Sequence, residues 1–398
     1  MVTGPGEHPR VTDRTDIDAA HPAASTTAAP APVPLMDPSR TYPAWGPAAE
    51  KLVVDVLRSH HYVKGPHVQA FEEAFAADTG TAHAVAVDSC TDALFLTLRA
   101  VLDARPADQR EVILPPFTFI ATAGAVANAG GTPVFADVDP QTFNLDPASV
   151  AARVTERTAA IIPVHIFGAP ADMQALRAAV PDHVFVLEDA AQAIHATLDG
   201  RRAGALADAG TFSFYPSKNL AAIGDGGVVT TDDDELAGLV RALRDHGQTR
   251  KLYDHDHIGT NSRMDELQAA VLTEKLRHIA AWTEARGEIA ARYDAAFEGT
   301  PVAFQRLLEG STSAYHLYTV RVENRDDVLA ALRAQDIGCG VYYPHPLHQQ
   351  SCFAPYQPQP CPEADALAAS VLSLPCFPGL TVEEQARVID AVRTLVGA

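Results

Sequence analysis

GTFSFYPSKNLAAIGDGGVVTT, residues 210–231, contains two short apolar runs of the kind that form buried strands. The first run is GTFSFY at 210–215 and the second is GGVVTT at 226–231. Parallel neighbours need a connection of about a dozen residues or more, usually a helix, and the segment between these runs is shorter. We therefore expect one of the two strands to run antiparallel to its neighbours, within a mixed sheet.

Five further apolar runs precede this stretch and alternate with amphipathic helical patterns, which predicts a mostly parallel sheet in an α/β domain. Helical spacing over 52–57 and 68–75 comes before the first of these runs, and the second of those helices should end at Gly80. The five runs are HAVAV at 83–87, EVIL at 111–114, TPVFADV at 132–138, AAIIPV at 159–164 and VFVLE at 184–188.

The remainder of the chain divides into a leader and a second domain. Residues 1–38 contain many Pro, Ala, Thr and Asp but few large apolar side chains, so we expect a disordered leader. One long helical pattern from Met264 towards residue 297 should bridge two domains. Beyond it, HLYTVRV at 316–322, a helix near 326–335, GCGVYY at 338–343 and two closing helices predict a compact α+β unit. The expected domains are a large one over 39–285 and a small one over 286–398.

Composition excludes several classes of function. Fifty acidic and thirty basic residues give a net charge of -20, which repels a nucleic-acid backbone. No apolar stretch is long enough to span a membrane, and five cysteines without a CxxC pair indicate a reducing cytoplasm. We expect no metal site, because the candidate clusters lack third and fourth ligands at a suitable spacing. Those clusters are 254–257, His345 with His348, and His60 with His61.

Lys218, in FSFYPSKNL, follows a buried strand, where an unpaired ammonium is costly. It is the only lysine between Lys64 and Lys251. One interpretation is a side chain that reaches from its loop to water. The other is a lysine that forms a Schiff base, because a desolvated amine loses its proton and becomes nucleophilic towards an aldehyde.

Asp189 ends the otherwise apolar run VFVLE, directly before the segment AAQA. Such a residue commonly caps a following helix. A buried carboxylate can also hold the pyridine nitrogen of pyridoxal phosphate in its protonated state. Gln192 comes three residues later, which would place its amide on the same face of that helix, within reach of the ring hydroxyl.

A phosphate group is bound well by the N-terminus of a helix, and Thr91 and Asp92 open the helical run TDALFLTLRAVL after the first strand. Ser213 could add a hydroxyl, although a serine more often bonds to the backbone. The segment GDGG at 224–227 lacks the spacing of a P-loop, so we interpret it as a tight turn near the cofactor.

Nine ordered motifs together resemble the DegT/DnrJ/StrS family of pyridoxal-phosphate-dependent sugar aminotransferases, from about residue 42 to the C-terminus. The resemblance implies the fold type I architecture and a homodimer with active sites at the subunit interface. It also implies glutamate as amino donor and a nucleotide-linked keto-sugar or a keto-cyclitol as acceptor. The motifs are FEEAFAADTG, DSCTDAL, PPFTFIATA, PVFADVDP, AAIIPVHIFGAPADM, EDAAQA, FSFYPSKNL, GDGGVVTT and GTNSRMDELQAAVL.

The resemblance also assigns roles to residues that match these motifs. Lys218 would carry the cofactor and act as acid and base, Asp189 would contact the pyridine nitrogen, and Gln192 the ring hydroxyl. Phe119 would stack on the ring. Phosphate contacts would come from Thr91, Asp92 and Ser213, and from Asn261 of the other subunit. Without the family, Asn261 would equally be expected to cap the long helix.

The segment GVYYPHPLHQQ at 340–350 resembles HYPxPLHxQ in branches that aminate the sugar C3 position, with Tyr342 in place of the histidine. We therefore expect a 3-keto acceptor, with a 4-keto-sugar or a keto-cyclitol as the alternatives. Cys90, Ile194 and His195 depart from the family pattern and should reshape the substrate pocket. The expected substrate contacts are Arg250, Lys251, Arg263, Tyr342, Tyr343 and His345.

A lysine at 218 favours transamination, since relatives with histidine at this point act as sugar dehydratases. Glutamate would load the cofactor as pyridoxamine phosphate, and the keto-sugar would then take the amino group. Two rival functions are a regulatory protein that binds pyridoxal phosphate without turnover and an aldolase that uses Lys218 without a cofactor.

Overall fold

Helices and strands alternate in the computed structural model, which describes residues 31–249 and 253–398. The strands are β1 (His83–Val87), β2 (Glu111–Leu114), β3 (Thr132–Phe135), β4 (Thr158–Ile161), β5 (Phe185–Asp189), β6 (Thr197–Leu198), β7 (Arg201–Arg202), β8 (Ala209–Ser213), β9 (Gly227–Thr231), β10 (Ala303–Phe304), β11 (Ser311–Thr312), β12 (Tyr318–Arg321) and β13 (Val371–Leu374). The helices are α1 (Tyr42–Ser59), α2 (Pro66–Thr79), α3 (Cys90–Asp103), α4 (Ile120–Asn128), α5 (Pro147–Ala151), α6 (Met173–Ala178), α7 (Asp234–Leu243), α8 (Glu266–Leu276), α9 (Ile279–Phe297), α10 (Arg325–Arg333), α11 (Pro362–Ser370) and α12 (Val382–Val396).

The central sheet has seven strands in the order β1-β9-β8-β5-β4-β2-β3. Strand β9 is antiparallel to both of its neighbours, and the pairs from β8 to β3 are parallel. The predicted mixed, mostly parallel sheet is therefore confirmed, including the antiparallel strand in the stretch 210–231. The predicted end of α2 at Gly80 is also confirmed, since Gly80 caps that helix with a φ of 80°.

Both faces of the sheet are covered, which explains why its strands are apolar on successive residues. On one face α3, α4 and α7 pack Leu94, Val126 and Val240 against the strands. On the other face α2 and α8 contribute a second apolar cluster, in which the Phe75 ring lies 5.1 Å from Phe212 and 5.5 Å from Phe214. The sheet consequently presents a fixed edge at the carboxyl ends of its parallel strands.

The single long helix expected from Met264 to about 297 is two helices, α8 and α9, with a break at Arg277 and His278. The amides of these two residues bond to carbonyls three residues earlier, at 3.3 and 3.0 Å, which tightens the last turn of α8. Apolar periodicity continues across the break, so the sequence does not mark it. Helix α9 then carries Tyr293 and Phe297 into the core beside the C-terminal sheet.

A second, antiparallel sheet has the order β10-β12-β13. Strand β13, between α11 and α12, was not predicted, and the strand expected over 338–343 is absent from the described structure. In that segment Gly340 forms an isolated bridge to Ser373 in β13, and the Gly338 amide donates to the Val33 carbonyl. The apolar cores of the two sheets both receive residues from 347–374, and the expected boundary between domains near residue 285 stays a prediction.

The expectation of a disordered leader over 1–38 is wrong at its C-terminal end. Val33 is 1% exposed, and it forms a bridge with Ile337, while Asp37 caps a short 3-10 helix over Pro38–Arg40. These residues are folded because backbone pairing with residues 336–338 and burial of Val33 offset their ordering entropy. Residues 1–30 lie outside the described residues. No helix within the described ranges is long and apolar enough to cross a bilayer.

Candidate active site

A cavity of about 410 Å³ lies at the carboxyl ends of the parallel strands. Residues that follow or end β1, β2, β4, β5 and β8 line it, as expected for ligands in an open α/β sheet. The predicted residues among its lining are Thr91, Phe119, Asp189, Gln192, Ser213, Lys218, Tyr342 and Tyr343. The structure therefore brings together most of the residues that the sequence singled out.

Lys218 lies in the turn after β8, where its backbone amide donates to the carbonyl of Tyr215 at 2.8 Å. Its side chain lines the cavity, and no described residue forms a hydrogen bond or an ion pair with its Nζ. Burial lowers the pKa of the Lys218 ammonium, although the charges of Cys90 and Asp189 act in the opposite direction. The lysine is thus set up as an amine nucleophile rather than as half of a salt bridge.

Asp189 is the last residue of β5 and is 5% exposed. Its carboxylate accepts from the Thr122 hydroxyl at 2.8 Å and from the Ala191 amide at 3.2 Å. Burial raises the pKa of this carboxyl, while those two hydrogen bonds and the charge of Lys218 lower it. A buried carboxylate with this charge balance favours a cationic partner in the cavity.

Gln192 lies in a turn and not in a helix, so the prediction of a helix after Asp189 is wrong. The turn follows Asp189 because the chain returns at once into the small sheet that begins with β6 at Thr197. Its side chain still lines the cavity, where Oε1 accepts from the Phe167 amide at 2.6 Å and Nε2 donates to the Tyr343 hydroxyl at 3.2 Å. The two bonds fix the orientation of the amide beside Asp189.

Helix α3 begins at the cavity and is capped by Ser89, whose hydroxyl accepts from the Asp92 amide at 3.1 Å. The first amides of a helix have no intrahelical acceptor, so those of Cys90 and Thr91 form an anion site at this end of the cavity. The Asp92 carboxylate lies outside the lining and accepts from the Ser262 hydroxyl at 2.9 Å. Asp92 thus stabilises the helix start with its side chain turned away from the cavity.

Phe119 and Tyr215 stand at the mouth of the cavity with 56% and 55% of their surfaces exposed. The Phe119 ring lies 6.1 Å from the ring of Tyr343, tilted by 37°. Ser213, at the end of β8, lines the cavity, and its hydroxyl accepts from the Tyr215 amide at 3.4 Å. These residues offer an aromatic face and a hydroxyl to a flat, polar ligand.

Two lining residues that the sequence analysis missed are His316 and Arg286. Asn219 donates through Nδ2 to the Ala314 carbonyl at 2.8 Å, so its Oδ1, 3.2 Å from His316, accepts from Nδ1–H. Burial lowers the pKa of His316 well below its usual range, with the charges of Lys218 and Arg286 acting in the same direction. His316 is therefore neutral at pH 7, with Nε2 as an acceptor.

Arg286, on α9, is buried and donates to the carbonyls of Tyr315, at 3.0 Å, and Cys376. No carboxylate pairs with it among the described residues, and its Nε has no hydrogen-bond partner there. Arg286 thus leaves a buried basic group facing the cavity, which favours an anionic ligand. No sequence signal marked either Arg286 or His316, because neither follows a strand of the central sheet.

Leu35 and Met36 also line the cavity, although the sequence analysis placed them in a disordered leader. Leu317 and Leu374 are further apolar residues of the lining, and these four residues are here termed the apolar wall. The signal available in the sequence was weak, since Val33, Leu35 and Met36 are isolated apolar residues between prolines.

Several predicted contacts lie elsewhere. Arg263 pairs with Asp245 at 2.7 Å and lines a separate cavity of about 360 Å³, and His345 is exposed outside the main cavity. Asn261 is exposed and bridges Asp245, so it neither lines the main cavity nor caps α8, which begins after Asp265. Arg250 and Lys251 lie outside the described residues.

Ile194 and His195, which depart from the family pattern, were expected to reshape the substrate pocket. They do not reshape this cavity, because neither residue lines it. His195 instead lies 2.9 Å from Asp78 through Nε2, on the far side of the turn. Cys90 does line the cavity, as expected. Within the described ranges, no group of three or more potential ligands is arranged to hold a metal ion.

The donor set fits pyridoxal phosphate. One cavity contains an unpaired lysine amine for the aldehyde, a buried carboxylate for the pyridine nitrogen, an aromatic ring for stacking, and a helix N-terminus for the phosphate. A cofactor-free lysine enzyme would have no use for Asp189 and the start of α3 in this arrangement.

Known proteins similar to this chain include enzymes as well as proteins with regulatory names. A pleiotropic regulatory protein of Geobacillus stearothermophilus is 44% identical over 90% of this chain and 97% of its own length. A UDP-N-acetyl-3-dehydro-alpha-D-glucosamine 3-aminotransferase of Acidithiobacillus ferrooxidans is 44% identical over 85% of this chain and 91% of its own length. A dTDP-3-amino-3,4,6-trideoxy-alpha-D-glucose transaminase of Streptomyces venezuelae is 42% identical over 91% of this chain and 95% of its own length.

Among solved structures, the crystal structure of S. venezuelae DesV in complex with a ketimine intermediate is similar to this chain with a TM-score of 0.88 and 41% identity. The match covers 92% of this chain and 99% of DesV. The family model for DegT/DnrJ/EryC1/StrS aminotransferases matches residues 45–393. The chain belongs to this family and is an aminotransferase of fold type I whose cofactor is pyridoxal phosphate.

Proposed function

We propose that this enzyme transfers the amino group of L-glutamate to C3 of a nucleotide-linked 3-keto-sugar and releases 2-oxoglutarate. The observation that carries the proposal is the unpaired amine of Lys218 in one cavity with the buried carboxylate of Asp189. The 3-amination names of the relatives from A. ferrooxidans and S. venezuelae support C3 as the position. The basic group of Arg286 supports an anionic amino donor.

The described residues would hold the cofactor at four points. Cys90 and Thr91 amides at the start of α3, with Ser213, would bind the phosphate. Asp189 would keep the pyridine nitrogen protonated, Gln192 would contact the ring hydroxyl, and Phe119 would stack on the ring. When bound, pyridoxal phosphate stores the amino group and delocalises the electrons of the substrate carbon.

Lys218 would move the protons of both half-reactions. Its Nζ would take the α-proton of glutamate in the first half, and in the second half it would give a proton to C3 of the sugar. Burial lowers the pKa of this amine, which favours the unprotonated form that a general base requires. One residue thus acts as base and as acid, so we expect ping-pong kinetics.

The substitution Gly227→Ala tests the proposed phosphate site at the start of α3. A Cβ built at this position would lie 2.4 Å from the Ser89 carbonyl carbon and 2.5 Å from the Cys90 nitrogen, so Gly227→Ala must displace the start of α3. We expect the Kd for pyridoxal phosphate to rise at least about tenfold, or about 1.4 kcal/mol. Titration of apoenzyme by absorbance measures this. The control is Gly238→Ala within α7, where an added Cβ meets no atom within 4 Å, and an equal Kd in both variants would contradict the assignment.

We also propose a homodimer in which Asn261 reaches the phosphate of the partner subunit. The exposed apolar residues Phe119, Tyr215 and Ile223 near the cavity, with Ile258 before Asn261, support an interface at this mouth.

The thiol state of all five cysteines supports a reducing compartment, and we place the reaction in the cytoplasm.

Transfer of ¹⁵N from labelled glutamate tests the proposed function directly. The holoenzyme is incubated with matched 3-keto and 4-keto nucleotide sugars and with a keto-cyclitol, and NMR locates the label in each product. We expect ¹⁵N at C3 of the 3-keto substrate. Label transferred only to a 4-keto-sugar or to the cyclitol would replace the proposed acceptor.

The regulatory name of the G. stearothermophilus relative provides a second candidate, a protein that binds the cofactor without turnover. The same experiment separates the two functions. Bound cofactor with no label in any acceptor, and no 2-oxoglutarate released, would favour the regulator.

A further inference from the structure

The segment 33–36, here termed the strap, is fixed at its first residue by backbone pairing. The Val33 amide donates to the Asp336 carbonyl at 2.9 Å, and the Gly338 amide donates to the Val33 carbonyl at 2.7 Å. The approach is so close that a Cβ on Gly338 would lie 2.3 Å from the Leu35 nitrogen. Glycine at 338 is therefore what allows the strap to lie in this position.

The strap is fixed after its last residue by Arg40. This guanidinium forms a bidentate pair with Glu384 on α12, at 2.6 and 2.7 Å, and donates to the Gly379 carbonyl at 2.8 Å. It also donates to Asp37 at 3.1 Å. Bidentate pairs of this kind define the geometry of both partners. Because both ends are held, the side chains between them have a defined position.

Leu35 and Met36 are the side chains that this arrangement presents to the active-site cavity. A Cβ on Gly340 would lie 3.3 Å from Leu35 Cδ2 and 2.9 Å from the Tyr342 ring, which places Leu35 next to that tyrosine. Leu317 and Leu374 extend the same apolar wall. The strap thus contributes two apolar side chains to the lining of the cavity.

An apolar wall discriminates between substituents of a bound sugar. A hydroxyl or carboxylate against Leu35 and Met36 loses its water and gains no hydrogen bond from these two side chains, whereas a methyl or methylene group gains burial. Discrimination in such pockets is roughly 10- to 200-fold per group. The acceptor's carbonyl carbon must approach Lys218, which leaves the other carbons of the sugar to meet the strap.

We propose that the strap selects the acceptor, favouring 3-keto-sugars that present a deoxygenated carbon to Leu35 and Met36. The inference rests on the proposed function, since it specifies the sugar class used by the same site. It assigns a specificity role to residues outside the motifs by which the family is recognised in this sequence.

The test compares kcat/KM for two matched pairs of nucleotide-linked 3-keto-hexoses, one pair differing by a hydroxyl at C6 and the other at C4. For at least one pair we expect the wild type to prefer the deoxy member about tenfold or more. Met36→Gln and Leu35→Asn should reduce that preference to less than threefold. Met36→Leu, which retains an apolar side chain, should preserve it.

Leu307→Asn is the matched control, because Leu307 is partly exposed and does not line the cavity. Gly338→Ala displaces the strap without changing a side chain of the wall, and it should also reduce the preference. Equal kcat/KM values within both pairs for the wild type, or a preference that Met36→Gln and Leu35→Asn both leave intact, would overturn the inference. No turnover of any keto-sugar would instead overturn the proposed function.

Discussion

Lys218→Ala is expected to reduce overall transamination by at least about 10³-fold, the scale of a lost general acid–base group that also carries the cofactor. No other described lysine lines the cavity, so no neighbouring amine can take over either role. The measurement is release of 2-oxoglutarate from glutamate under single-turnover and steady-state conditions. Lys218→Arg separates charge from nucleophilicity, because it keeps a cation and should be equally inactive.

Two controls make the Lys218 result specific. Lys51→Ala removes an exposed lysine on α1 and should retain full activity. Added methylamine should partly restore the proton transfer in Lys218→Ala, since a small amine can occupy the space of the missing side chain. Turnover near the wild-type level in Lys218→Ala would remove this residue from the mechanism.

Asp189→Asn is expected to lower kcat by roughly 10²- to 10³-fold, the usual cost of removing one preorganised electrostatic contact. The substitution keeps the size of the side chain, and its amide oxygen can accept from Ala191 while its NH2 donates to the Thr122 hydroxyl. It removes the charge that stabilises a protonated pyridine nitrogen. Cofactor should still bind through the start of α3, so the loss should appear in kcat rather than in cofactor occupancy.

Thr122→Val is the matched control for Asp189. It removes the 2.8 Å hydrogen bond to the carboxylate and leaves the charge in place, so kcat should fall less than about tenfold. An Asp189→Asn enzyme as active as the wild type would show that the carboxylate is structural. The pH profile of kcat provides a second readout, because a purely structural role would leave its shape unchanged.

The sequence predicted those parts of the fold and site that depend on local patterns. Apolar runs identified all seven strands of the central sheet, and the short connection over 216–225 identified the antiparallel strand. Lys218, Asp189 and Thr91 were found because ligands gather at strand ends in this architecture. The turn at Gln192 was misjudged as a helix because the apolar residues that follow Asp189 suit either conformation.

The remainder depended on long-range contacts that no local pattern records. Val33 is ordered by pairing with residues 336–338, about three hundred positions away, so the strap resembled a leader. His316 and Arg286 enter the cavity from the C-terminal half, where packing against the main sheet decides which residues line it. Arg263 was misplaced because a basic residue near a site motif pairs equally well with a neighbouring carboxylate, here Asp245.

The most direct test of the central claim is the absorbance spectrum of the holoenzyme from 300 to 500 nm, before and after glutamate. With cofactor held by Lys218 we expect a band near roughly 410 nm that moves towards about 330 nm when glutamate is added, and returns on addition of a 3-keto-sugar. Lys218→Ala should lack the first band. An unchanged wild-type spectrum after incubation with pyridoxal phosphate and glutamate would contradict the assignment of this cavity as a transaminase site.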